Sequence, residues 1–273
     1  MTKAQVFRRI ELRMQAECPD MVRDAEELAA DIGKPERDGP SEVWRHMWNK
    51  PLFANTMVQI GLNWVAQLTP FVEGDLWRQW GDPTRPYLTL NGPANRNDSF
   101  AYTDYAPPQL RELPITKKRL FAVQGAAQAL ARWSAQSAAP LIRFVPLDRH
   151  DLVPTMMHEL GRGWGHITTM HFLTDVGLSV KPDRWLVRTM VWANLGGNDL
   201  TDILDTNRAV PSLPQAIAID LAVKKLVIEV DGVLTPRRLR YFDKILMEAS
   251  RQGIVEHPRP ESGSHCGDHP LAA

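Results

Sequence analysis

From Ile115 to Gly253, apolar residues recur at helical spacing through six segments separated by short breaks, and this recurrence constrains the fold more than any other feature. The segments are ITKKRLFAVQGAAQALARWSAQ, DLVPTMMHELG, GHITTMHFLTDVG, DRWLVRTMVWANLGG, LPQAIAIDLAVKKLVIE and LTPRRLRYFDKILMEASRQG. KKLVIEV in the fifth has the apolar density of a strand, but no run of similar quality stands near it to pair with. The expected class is therefore all-α. Upstream, the Trp-rich stretch from Ser41 to Gly81 reads as two or three helices opened by a capping serine, and residues 1–32 as a helix that the Gly and Pro of GKPERDGP bring to an end. Between Gly81 and Pro114 the chain is rich in Pro, Asn, Asp and Tyr and has little periodicity, which predicts a long loop carrying a short hairpin. The expected organisation is an N-terminal helix and linker over 1–40, one main domain over 41–253, and a tail over 254–273 with nothing to bury.

Composition sets limits on what such a chain does. With 273 residues, 44% of them hydrophobic, it can bury a substantial core. No uninterrupted apolar run is long enough for a membrane span and the N-terminal stretch lacks a signal-peptide pattern, so the expectation is a cytoplasmic protein without a membrane partner. Only Cys18 and Cys266 occur, which excludes a disulfide framework and a four-cysteine iron-sulfur site. Lys plus Arg equals Asp plus Glu at 32 each, so no global basic field announces a nucleic-acid partner. Cations are nevertheless clustered, at Lys117, Lys118 and Arg119, at Lys181, Arg184 and Arg188, and at Arg237, Arg238 and Arg240. Each cluster taken singly reads equally well as a solvated helix face. His158, His166 and His171 match no ligand spacing, and no metal held by side chains is expected.

The specific signal lies between Asp151 and Gly197. Two short helical segments meet across a turn containing Gly161, Gly163 and Gly165. Glycine takes positive backbone dihedrals and lets N–H groups come close to a phosphate, while the following helix presents its positive end to the same anion. Such a turn would clamp a DNA strand without reading its sequence, although a glycine turn between helices also occurs as plain architecture. Asp183 follows 18 residues beyond Gly165, after Pro182, between Lys181 and Arg184, at the expected start of a helix. There it serves at least as an N-cap.

Taken together, GWGHITTMHFLTDVGLSVKPDRWLVR resembles the hairpin and catalytic loop of the helix-hairpin-helix base-excision DNA glycosylases, in which Gly, an apolar residue and Gly precede a short helix and an aspartate before an Arg- or His-bearing helix. The resemblance implies two helical subdomains with the base pocket between them, Asp183 as the catalytic carboxylate, and a double-stranded DNA substrate. Gly163, Gly165, His166, Thr168, Lys181, Arg184 and Arg188 would face the DNA. A weaker likeness in NTMVQIGLNWVAQLTPFVE places Gln59 at the lesion. No organic cofactor is implied, although the hairpin of this family commonly holds a monovalent cation on backbone carbonyls. Bifunctional relatives carry a lysine nucleophile where this chain has Ile167, so the resemblance implies a hydrolytic enzyme, acting as a monomer, without a strand-nicking lyase step. Arg162 replaces the usual proline before the hairpin.

Breaking an N-glycosidic bond develops positive charge on the deoxyribose, which a fixed carboxylate stabilises while orienting water. The base must also be flipped out and read by stacking and edge hydrogen bonds. The long loop offers Trp77, Trp80, Tyr87, Asn91, Asn95, Asn97, Tyr102 and Tyr105 for this, a set equally suited to loop packing. So polar a loop would suit a bulky or hydroxyl-rich base, such as the glucosylated cytosine of a viral genome, which would make the enzyme an antiviral defence rather than a repair factor. Two other readings stay open: a helix-hairpin-helix DNA-binding module without catalysis, and a helical interaction protein without a nucleic-acid role.

Overall fold

Thr2 opens the first helix, α1 (Lys3–Glu17), with a capping box in which Gln5 N–H donates to Thr2 Oγ1 at 3.2 Å and Thr2 N–H to Gln5 Oε1 at 2.8 Å. Pro19 starts α2 (Pro19–Ala30) where its missing N–H is harmless, so the single helix expected over 1–32 is two helices broken at Cys18. The computed structural model describes residues 1–33, 39–54, 56–91, 99–136, 149–196, 200 and 211–256. Next come α3 (Pro40–Met47), α4 (Lys50–Phe53), α5 (Val58–Val72), a 3-10 turn (Gly74–Leu76) and α6 (Trp77–Trp80). The loop after Gly81 carries the expected hairpin, β1 (Leu88–Asn91) antiparallel to β2 (Ser99–Tyr102), with Leu88 opposite Tyr102. The remaining helices are α7 (Pro108–Arg111), α8 (Lys117–Gln136), α9 (Leu152–Leu160), α10 (His166–Asp175), α11 (Arg184–Trp192), α12 (Leu213–Asp231) and α13 (Pro236–Arg251). The described residues are mostly helical, and none of their helices is long and apolar enough to cross a membrane.

KKLVIEV lies inside α12, where Val223, Leu226 and Val227 share one buried face at helical spacing. With the hairpin committed to pairing with itself, a strand here would have left its backbone polar groups without partners.

Buried side chains form two clusters. The first gathers residues of α3 to α10 and the hairpin around Trp44, Trp80, Leu120 and Phe172. The second gathers α1, α2 and α11 to α13 around Phe7 and Phe242, whose rings stack at 4.0 Å. The N-terminal helices are thus integral to a core. Chain beyond Gly253 also has something to bury: Ile254 and Val255 are buried in the second cluster, and Arg13 donates to the Ile254 carbonyl at 2.7 Å.

Candidate functional site

Gly161 and Gly163 take φ of +78° and +91°, a region that L side chains rarely enter. A Cβ on Gly163 would also lie 2.6 Å from the Cβ of Ala122. Trp164 anchors the turn on α8 by donating from Nε1 to the Ala122 carbonyl at 2.8 Å, with its ring edge-on to Phe172. Gly165 departs from the expectation. It is the N-cap of α10 with φ −81°, and a Cβ there would meet nothing within 4 Å. What its missing side chain provides is open space in front of a helix start whose first N–H donors have no capping side chain.

That helix start forms one wall of a cavity of about 750 Å³, to which Gly163, Gly165, His166, Ile167, Thr168 and His171 contribute. Opposite walls come from α4 and the start of α5, with Lys50, Pro51, Phe53, Ala54, Thr56 and Val58, and from Thr116, Lys118 and Arg119. Lys181 supplies the last side. Lys118 and Arg119 of one basic cluster of the sequence and Lys181 of another therefore meet here. In the third, Arg238 pairs with Asp231 and Arg237 donates to the Ile32 carbonyl, while Arg240 turns inward.

Asp183 caps α11. Its Oδ1 accepts the N–H groups of Trp185 at 2.9 Å and Leu186 at 3.1 Å, and its Oδ2 has no hydrogen-bond donor among the described residues. The carboxylate does not itself line the cavity, whereas Lys181, two residues before it, does. The loop that delivers it is held from two sides by buried carboxylates. Asp220 Oδ1 on α12 accepts the Val180 N–H at 3.1 Å and the Ser179 hydroxyl at 2.8 Å, and Lys224 balances its charge at 2.7 Å. Asp243 Oδ1 on α13 accepts the Lys181 N–H at 2.8 Å, and its Oδ2 pairs with Arg240 at 2.9 Å. Burial pushes the Asp243 pKa up to about 6; Arg240 and the Lys181 N–H oppose the rise, and the negative charge of Asp183 adds to it.

A further carboxylate, Asp175 at the end of α10, links that support to the cavity wall. It accepts a hydrogen bond from Lys50, lies 3.4 Å from Arg240 Nη2 and 3.8 Å from His46 Nδ1. Burial alone would raise its pKa, but the nearby His46 and the charges of Lys50 and Arg240 hold it far below the usual carboxylate range. His171 goes the other way: burial first, then Lys50 and Lys181, drive its pKa well below the ordinary histidine value, so the ring is neutral near pH 7.

The other sequence-predicted residues divide sharply. His166 and Thr168 line the cavity, and His166 Nε2 is 2.8 Å from the Pro211 carbonyl. Arg184 and Arg188 lie over the ring of Trp185 at 4.6 and 5.0 Å, on the helix that Asp183 caps. Gln59 is exposed on α5, in a surface patch with Met57, Val58, Ile60 and Leu62 beside the cavity. Among the described residues, the side chains expected to form a base pocket in the long loop do not line the cavity. Trp77, Trp80 and Tyr87 are buried in the first core cluster, Trp80 Nε1 donates to the Phe71 carbonyl and the Tyr87 hydroxyl to Gln79. Tyr102 packs under Arg111 and Lys117, and Tyr105 and Asn91 are exposed away from the cavity lining. Asn95 and Asn97 lie outside the described residues. This loop is the outer layer of a core, tied to α8 by Gln124, which both donates to and accepts from the Leu88 backbone. Lys50, Thr116, Arg119 and His171 were not singled out for this site from the sequence, which gives no signal that segments so far apart converge. Among the described residues no three His, Cys, Asp or Glu side chains gather as a metal site.

Comparison with protein-family models, with curated proteins and with solved structures finds no match to this chain.

Proposed function

We propose that this protein is a monofunctional DNA glycosylase of the helix-hairpin-helix class, hydrolysing the N-glycosidic bond of a damaged or modified base and leaving an abasic site. The observation that carries this reading is the state of Asp183. One carboxylate oxygen is fixed by two helix N–H groups and the other is unengaged by the described residues, on the loop that places Lys181 in a cavity walled by a glycine hairpin. A carboxylate so fixed is preorganised to stabilise the sugar's developing positive charge and to orient water. The two core clusters serve as the two subdomains, with the cavity walled by the first and closed by Lys181.

Duplex DNA would lie across the hairpin, with a phosphate at the open N-terminus of α10 in front of Gly165 and further contacts from Arg184 and Arg188. Val58, 67% exposed where it lines the cavity, and the neighbouring Met57, 73% exposed, would supply an apolar wedge for the gap left by the flipped base, with Gln59 beside them. Ile167 lines the cavity where a bifunctional enzyme needs a lysine, so no Schiff base forms from that position. A monovalent cation would be held by the carbonyls of Gly163 and Trp164, which accept no backbone N–H among the described residues, and would add positive charge for a phosphate.

The test is base release from duplexes carrying alkylated, oxidised, deaminated, mismatched or hypermodified bases, with Asp183→Asn as control. Asn keeps an oxygen for the helix cap, so the variant is expected to fold and bind DNA while excision falls by at least about 100-fold. Excision by Asp183→Asn at the wild-type rate would overturn the assignment. Salt-dependent binding without release of any base would favour a non-catalytic module instead.

A further inference from the structure

The cavity wall is one-sided in charge. Lys50, Lys118, Arg119 and Lys181 all contribute to it, and among the described residues no aspartate or glutamate does. Asp175 balances Lys50 from behind the wall, and Arg119 spends its guanidinium on the carbonyls of Pro51 and Ala54 and the hydroxyl of Thr56 while stacking on Trp64. Lys118 and Lys181 have no carboxylate partner within ion-pair distance among the described residues. The side chains of Thr116 and Thr168 and the neutral His171 can each donate a hydrogen bond. A ligand carrying acceptors finds donors on every side. One carrying positive charge meets four cations with no lining carboxylate among the described residues to offset them.

From this lining we infer the substrate class of the proposed glycosylase: a base bearing an oxygen-rich substituent, uncharged or anionic, with the cationic N-alkylated purines excluded. The inference rests on the glycosylase reading. Size agrees with it, because about 750 Å³ falls in the upper half of the ~300–1,000 Å³ typical of cavities that enclose drug-sized ligands, well beyond the needs of an unmodified base. The selecting groups are Lys118 and Lys181, with Lys50 held in place by Asp175. Each contact from a charged donor to an oxygen acceptor contributes roughly 10- to 100-fold in discrimination when the acceptor is present and buried.

The experiment uses the full-length protein and four duplexes, each with one 7-methylguanine, 5-carboxylcytosine, 5-hydroxymethylcytosine or glucosylated 5-hydroxymethylcytosine, with the freed base measured by liquid chromatography in single turnover. At least one oxygen-bearing base is expected to be released roughly 10-fold or more faster than 7-methylguanine. Lys118→Glu and Lys181→Glu are each expected to narrow that ratio by a similar factor, and Lys118→Glu alone reads the effect if the loop variant fails to fold. Release of 7-methylguanine faster than all three cytosines, abolished by Asp183→Asn, would overturn the inference and leave the glycosylase standing. A preference unmoved in both folded lysine variants would overturn it as well. No release from any duplex, in a protein that still binds them, would overturn the catalytic reading and the inference with it.

Discussion

Replacing Asp175 by Asn tests the polar junction between the two cores. Asp175 faces Lys50, Arg240 and His46, with side-chain exposures of 16% for the aspartate, 9% for Lys50 and 15% for Arg240, so solvent screens these contacts little. Removing one partner of a buried ion pair costs ~3–5 kcal/mol, because the other charge is left desolvated and unpaired. Arg240 keeps Asp243 at 2.9 Å, so the orphan is Lys50 and the expected loss lies at the lower end, ~3 kcal/mol. For a chain of this size that is a fall in Tm of roughly 6–12 °C. Urea unfolding should show a lower midpoint with an unchanged slope. Lys50→Met in the Asp175→Asn background removes the orphan, and the double variant should be more stable than Asp175→Asn alone, a non-additivity of at least ~1 kcal/mol. A single variant within ~0.5 kcal/mol of wild type, or strict additivity in the cycle, would refute the argument that this junction is a desolvated charge network.

Three further expectations follow from the same geometry. Gly163→Ala combines a strained φ with a contact to Ala122 and should cost ~2–4 kcal/mol by chemical denaturation, whereas Gly165→Ala should leave stability within ~0.5 kcal/mol and weaken DNA binding in a filter assay. Equal stability losses at the two glycines would contradict the hairpin geometry. Asp243 has its folded pKa raised to about 6, so its protonated form favours the fold; that stability, ~3 kcal/mol, is fully present below the ordinary carboxylate pKa and is lost as pH rises through about 6. Asp243→Asn should flatten the stability profile between about pH 4 and 6, and a profile identical to wild type would refute the buried-carboxylate assignment. Asp175 has the opposite sign, since its depressed pKa gives stability that is present above the ordinary carboxylate range and lost only in stronger acid. In the Asp175→Asn variant that acid-side loss should disappear, as read from unfolding midpoints below pH 4.

The parts of the site that were legible before the fold was known are those written in consecutive residues. The glycine turn, and Asp183 after Pro182 at a helix start, each carry a local backbone requirement that a short window of sequence states directly. The cavity wall is of another kind. Lys50, Thr116, His171 and Lys181 come from four segments and meet only because α4, α8 and α10 pack around the first core, which no periodicity reports. Asp175 and Arg240 are 65 residues apart, and each alone reads as an ordinary charge on a helix face. The aromatic loop shows the converse error. Residue type says what Trp77, Trp80 and Tyr87 are able to stack against, but their availability depends on whether the core has already taken them, and a core in which Trp80 is fully buried has done so. Lysines carry the opposite bias, because the cost of burying an ammonium confines it to surface or to a partnered site. Lys50, 8% exposed and paired with Asp175, is therefore a stronger mark of a built wall than any of the nine tryptophans in the chain, and it is toward such partnered cations that a search for the substrate contacts should be directed.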